Sequence, residues 1–173
     1  MSVTRENIKP LTFFFRDDGL VPNNAIPFLV YKQAIEVGNE HPEKTIEGLF
    51  GANGWGEMWR NGVYDYLHYH ATVHEALGVA RGTALVRFGG DHGKAVELVA
   101  GDVAVLPAGT GHQCISHSRD FCVVGAYPPG PKMHVTLPTP ENYAMALQTI
   151  PAVKLPKTDP VMGENGGLVE LWK

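Results

Sequence analysis

The chain has 173 residues, 44% of them hydrophobic, and a formal net charge of −4. That length suits a single domain with a core of its own, and the mild negative charge argues against nucleic acid or an anionic membrane surface as a partner. No apolar run approaches the ~20 residues of a membrane span. The opening MSVTRENIKPLTFFF carries Arg5, Glu6 and Lys9 ahead of any apolar cluster, so a cytoplasmic protein is expected.

In chain order, residues 11–16 and 26–35 are rich in aromatic and β-branched side chains and are split by DDGLVPNN, which predicts two strands. Residues 42–52 predict a helix: Pro42 suits its first position, and Ile46, Leu49 and Phe50 fall at helical spacing. GWGEMWRNG then returns the chain to extended structure, with Asn61-Gly62 as a turn. From Val63 to Tyr127 a series of short strands is predicted, VYDYLHYH, EALGVAR, TALVRF, AVELVA, DVAVLP and FCVVGAY, separated by GGDHG, AGD and PAGTG. Such spacing indicates an all-β sandwich or barrel. Thr139 as N-cap and Pro140 just inside it open a second helix, at about 140–150, and residues 151–173 are expected to form an extended tail packed on the barrel. Cys114 and Cys122 are too few for a disulfide scaffold and lack zinc-ribbon spacing, so free core thiols are expected. The chain, 1–173, is read as one domain.

HYHATVHEALGVARG, residues 68–82, concentrates three histidines and a glutamate. Alternate side chains of a strand share a face, which puts His68 and His70 side by side. A turn near Ala71-Thr72 resets the alternation, so that Glu75 faces the same interior and His74 the other side. A helix could bring His70 and His74 to one metal, but Ala71 stands where a general-base glutamate is needed, and Gly78 and Gly82 disfavour it. GDVAVLPAGTGH, residues 101–112, ends in a Pro107-Ala108-Gly109 turn and delivers His112. Three imidazoles and a carboxylate suit a divalent transition metal.

Both segments resemble the two motifs of the cupin superfamily. Gly62, five residues, His68-x-His70, four residues, Glu75, six residues and Gly82 match the first; Gly101, five residues, Pro107-x-Gly109, two residues and His112 match the second. Ser116 stands where an asparagine often closes the second motif. The motifs span 62–116. The resemblance, extending to small bacterial single-domain cupins, implies an RmlC-like jelly roll (a double-stranded β-helix) with His68, His70, Glu75 and His112 as ligands of one metal ion. Iron, manganese or nickel is favoured, with zinc as the further option.

Such a centre would attract a small oxygen-rich, anionic or enolisable molecule, pointing to a dioxygenase or an isomerase or decarboxylase; the alternative is a metal-containing binding protein without turnover. By alternation, Tyr64 and Tyr66 share the face of His68 and His70, and Cys114 that of His112, so these could line the cavity. His74 and Arg87 are weighed as outer partners against the simpler reading of outward-facing residues. Glu57 and Trp59 lie on the approach to the barrel. Pairing through sheet edges makes a homodimer the expected assembly.

Overall fold

The computed structural model describes residues 2–173. Nine strands carry the fold: β1 (Leu11–Phe13), β2 (Phe28–Tyr31), β3 (Gly56–Asn61), β4 (Glu75–Arg81), β5 (Thr83–Phe88), β6 (Lys94–Val99), β7 (Val103–Leu106), β8 (His112–His117) and β9 (Cys122–Tyr127). Three α-helices accompany them, α1 (Pro42–Ala52), α2 (Pro140–Thr149) and α3 (Gly167–Leu171). The strands form a six-stranded sheet, β1-β2-β7-β4-β9-β3, and a three-stranded sheet, β6-β5-β8, antiparallel throughout. This two-sheet, all-β antiparallel architecture is of the jelly-roll kind expected from the sequence.

The central strands of the large sheet, β2, β7, β4 and β9, are buried on both faces, which explains their unbroken apolar runs. Its inner face contributes Phe28, Val30, Leu77, Val79, Leu106 and Val123 to a core shared with Val86, Phe88 and Cys114 of the small sheet. Its outer face, with Leu29, Tyr31, Val103, Val105 and Val124, packs on Ile46 and Phe50 of α1 and on Leu168 and Trp172 near the C-terminus. Gly78 permits the helix to approach, because a Cβ there would lie 2.6 Å from Ile46 Cγ2. Both helices begin as expected, Pro42 and Pro140 at their first turns, and Thr139 Oγ1 accepts from the Asn142 N–H at 3.2 Å.

Residues 151–173 include α3 and are anchored by two buried groups. Asp159, fully buried, accepts from the N–H groups of Val161, Met162 and Leu168 and from the Tyr31 hydroxyl of β2. Trp172 Nε1 donates to the Pro27 carbonyl at 2.8 Å.

Two strand expectations need correction. The predicted strand at 11–16 stops at Phe13, and that at 26–35 is confined to residues 28–31. The predicted strand at 63–70 is not a regular strand. It bends at Asp65-Tyr66 and runs beside the start of β8, held by paired His68–His112 backbone hydrogen bonds and by Cys114 N–H to the Tyr64 carbonyl.

Candidate metal centre

His68 and His70 come from this irregular segment, Glu75 opens β4 and His112 opens β8. All four are at least 95% buried. Each imidazole is fixed through Nδ1 to a backbone carbonyl: His68 to Tyr66 at 2.9 Å, His70 to His134 at 2.9 Å and His112 to Thr110 at 3.0 Å. A carbonyl only accepts, so Nδ1 carries a proton in each ring and Nε2 is the atom that would ligate a metal. In His70 burial lowers the imidazole, but the charge of Glu75 and a hydrogen bond from Nε2 to its carboxylate raise it above the ordinary value. One nitrogen from each ring lies within 4.8 Å of the other two. Two nitrogens on a common ion at ~2.1 Å are at most ~4.2 Å apart.

Glu75 stands outside that mutual grouping but beside it, Oε2 3.3 Å from His70 Nε2 and Oε1 3.5 Å from His112 Nε2. Burial would push its carboxyl up; the charge of and hydrogen bond from His70, with His112 and Tyr127, hold it down at about 2. Burial lowers His68 and holds His112 well below the usual imidazole range. Both therefore stay neutral near pH 7 and available as ligands. Oε1 is buried without a hydrogen bond. An unpaired buried carboxylate oxygen is costly, and a cation among these groups would satisfy it. The donor set fits a divalent ion.

Two residues whose role in this arrangement sequence reasoning missed complete the carboxylate's setting. Tyr127 donates to Glu75 Oε2 at 2.7 Å, and Trp59 Nε1 donates to the Tyr127 hydroxyl at 2.7 Å. Trp59 reaches inward because β3 carries a bulge. Three steps from Gly56 to Trp59 match two on β9, from Tyr127 to Gly125, and Glu57 adopts a positive φ of 53°. Gly125 leaves the space, since a Cβ there would lie 2.2 Å from the indole. Trp59, named from sequence only for its place near the barrel, is thus a cavity wall, and alternation with Val123 could have suggested Tyr127.

Tyr64 and Tyr66 are 48% and 41% exposed and stacked on each other at 4.9 Å, with their rings 5.3 and 5.4 Å from that of His68; Tyr64 borders the cavity and Tyr66 does not. The remaining expected neighbours lie elsewhere. His74 is neither at the centre nor on an exposed face. It is buried on the far side, where Nδ1 accepts from the Ala108 N–H at 2.9 Å and the ring lies 4.9 Å from Trp172; burial depresses it to about 4. Arg87 alternates with the inward-facing Val86 and Phe88 and points away from the cavity. Cys114 is packed in the core between the sheets, not along the cavity, and both cysteines are free, Cys122 only half-buried.

The chain is 37% identical over 162 residues, 93% of its length and 95% of the relative's, to the protein described as "Uncharacterized protein YjlB" of Bacillus subtilis (strain 168). It belongs to the YjlB family. No family model matches the sequence. Among solved structures, RmlC from Streptococcus suis in complex with dTDP-D-xylose is 15% identical over 76% of this YjlB-family chain and 74% of its own, with a TM-score of 0.38. Acireductone dioxygenase from Bacillus anthracis is 18% identical over 52% of this chain and 60% of its own, with a TM-score of 0.36. Likenesses this distant transfer neither substrate nor reaction. Among the described residues, no helix is long and apolar enough to cross a membrane.

Proposed function

We propose that this YjlB-family protein is a metal-dependent cupin enzyme, holding one divalent ion through His68, His70, His112 and Glu75 and acting on a small molecule that offers it enolate, keto-acid or hydroxy-acid oxygens. The observation that supports it is the arrangement of three imidazoles, each fixed by an Nδ1–carbonyl hydrogen bond, around a buried carboxylate oxygen that lacks a partner. Iron, manganese or nickel suits the set best, because an ion that accepts about six ligands keeps about two positions for substrate, whereas zinc prefers four. When bound, such an ion supplies Lewis acidity, a template and, for the redox-active metals, oxygenase chemistry; without redox change it serves isomerisation or decarboxylation.

The chain's own contribution is positional. The backbone carbonyls set ring orientation, and the Tyr127 hydroxyl donates to Glu75 Oε2, leaving Oε1 without a hydrogen bond. The cavity, about 340 Å³, is walled by Trp59, Val63, Leu77 and Met133, which keep water from the buried groups. Metal analysis of protein prepared without chelator or histidine tag tests the reading, with near-stoichiometric iron, manganese or nickel expected. A folded protein that takes up no ion refutes it. Oxygen uptake against enediols, β-diketones and keto acids then separates oxygenase from isomerase.

A further inference from the structure

The cavity that holds the histidines and Glu75 is chemically lopsided. Its polar groups converge at one end, while the rest of the wall is Trp59, Val63, Leu77, Met133 and Val135, with the Tyr64 ring at the mouth. Arg60 is the lone cationic side chain on the lining, and its guanidinium is committed, donating to both oxygens of Glu47 at 2.9 and 2.6 Å. Asn61 Oδ1 is taken by the Gly62 N–H at 2.8 Å. A bound molecule therefore finds polar partners at the ion end and few beyond it. Beyond the ion end the lining side chains offer the Asn61 amide N–H groups and the Tyr64 hydroxyl, so several hydroxyls or a second carboxylate along the wall would lose more hydrogen bonds to water than they regain. The volume, about 340 Å³, stands at the small end of ligand pockets and holds about eleven non-hydrogen atoms at the ~30 Å³ share of a water.

We infer that the substrate combines one chelating oxygen head with a compact apolar body, aryl or branched alkyl, and is not a sugar, a polyhydroxy acid or a polycarboxylate. The inference rests on the metal-centre reading above and narrows it. The head meets the ion, while the body lies against Trp59, Leu77 and Val135 and ends near Tyr64. Exposed Tyr64, backed by Tyr66 stacked on it with an interplanar angle of 19°, extends that apolar wall at the mouth.

The test uses protein loaded anaerobically with Ni²⁺, which keeps positions open for a chelating head and leaves the probes intact. Nickel content is measured first, then binding by calorimetry and by Trp fluorescence. Oxalate presents a chelating head with no body; phenylpyruvate and 2-ketogluconate share the α-keto acid head and differ in body. Oxalate is expected to bind, and phenylpyruvate to bind at least about tenfold tighter than 2-ketogluconate, the discrimination expected from burying a phenyl group. Val135→Glu, at an exposed lining position, is expected to abolish that preference, with each keto acid's affinity compared to the oxalate affinity of the same variant. Equal or tighter binding of 2-ketogluconate, or oxalate binding with neither keto acid, overturns the substrate class and leaves the metal centre standing. An unchanged preference in Val135→Glu overturns the placement of the body. Failure to load nickel or to bind oxalate overturns the underlying centre as well.

Discussion

Tyr127 donates to one oxygen of Glu75 at 2.7 Å and leaves the other buried without a partner. Each oxygen also lies beside an imidazole, Oε2 3.3 Å from His70 Nε2 and Oε1 3.5 Å from His112 Nε2. In Tyr127→Phe the buried carboxylate loses a charge-assisted bond, so stability should fall by about 1.5–3 kcal/mol. Metal affinity should fall ~10- to 100-fold, the usual effect of removing an outer partner. Thermal unfolding and competition with a chromophoric chelator measure the two separately.

The four inward groups and His74 should behave differently. His70→Ala, His112→Ala or Glu75→Ala should each reduce metal affinity by more than the ~100-fold that an outer partner is worth. His74→Ala should keep full metal stoichiometry while losing about 1–3 kcal/mol, because the buried Ala108 N–H loses its acceptor. Equal loss of metal from His74→Ala would refute the assignment of sides.

Gly125→Ala is a test of the Trp59 position. A Cβ at that site would overlap the indole at 2.2 Å. Displacing the ring should cost ~1–3 kcal/mol, as overpacking does, and break the Trp59–Tyr127 hydrogen bond. A shift in Trp emission and a lower unfolding midpoint are expected; an unaltered spectrum would show that the indole does not lie there.

Alkaline pH should act on the C-terminal anchor. Burial, and then the charge of Asp159, raise Tyr31 above the ordinary tyrosine value of 10.0. A group whose folded pKa is raised contributes its full stability below the unfolded value and loses it as pH climbs past 10 toward the folded one. The slope is at most ~1.4 kcal/mol per pH unit for each such group. Tyr127, raised by burial and by the Glu75 charge, adds to the slope. Urea unfolding between pH 9 and 11 should show the decline, and Tyr31→Phe should make it shallower while lowering stability at pH 7.

The elements most legible in the sequence are those governed by local pattern. Thr139-Pro140 marks α2, and alternation along EALGVAR places Glu75 on the same face as Leu77 and Val79, the face that lines the barrel. What escaped depends on pairing between distant segments. Tyr127 meets Glu75 because Ala76 pairs with Ala126, a register that no local window contains. Trp59 turns inward through a bulge defined by its partner strand. Tyr64 and Tyr66 stand exposed beside His68 instead of enclosed with it, because alternation holds only while a strand runs straight and the chain bends at Asp65-Tyr66. His74 is covered by Trp172, near the other end of the chain.

The stretch that follows β9 has two duties. Met133 and Val135 border the cavity, the intervening His134 carbonyl holds His70 Nδ1, and Thr136 exchanges backbone hydrogen bonds with Tyr69. Any excursion of this stretch wide enough to admit a bulkier visitor also loosens one imidazole. Guest size and cation retention are thereby traded against each other by a single run of backbone.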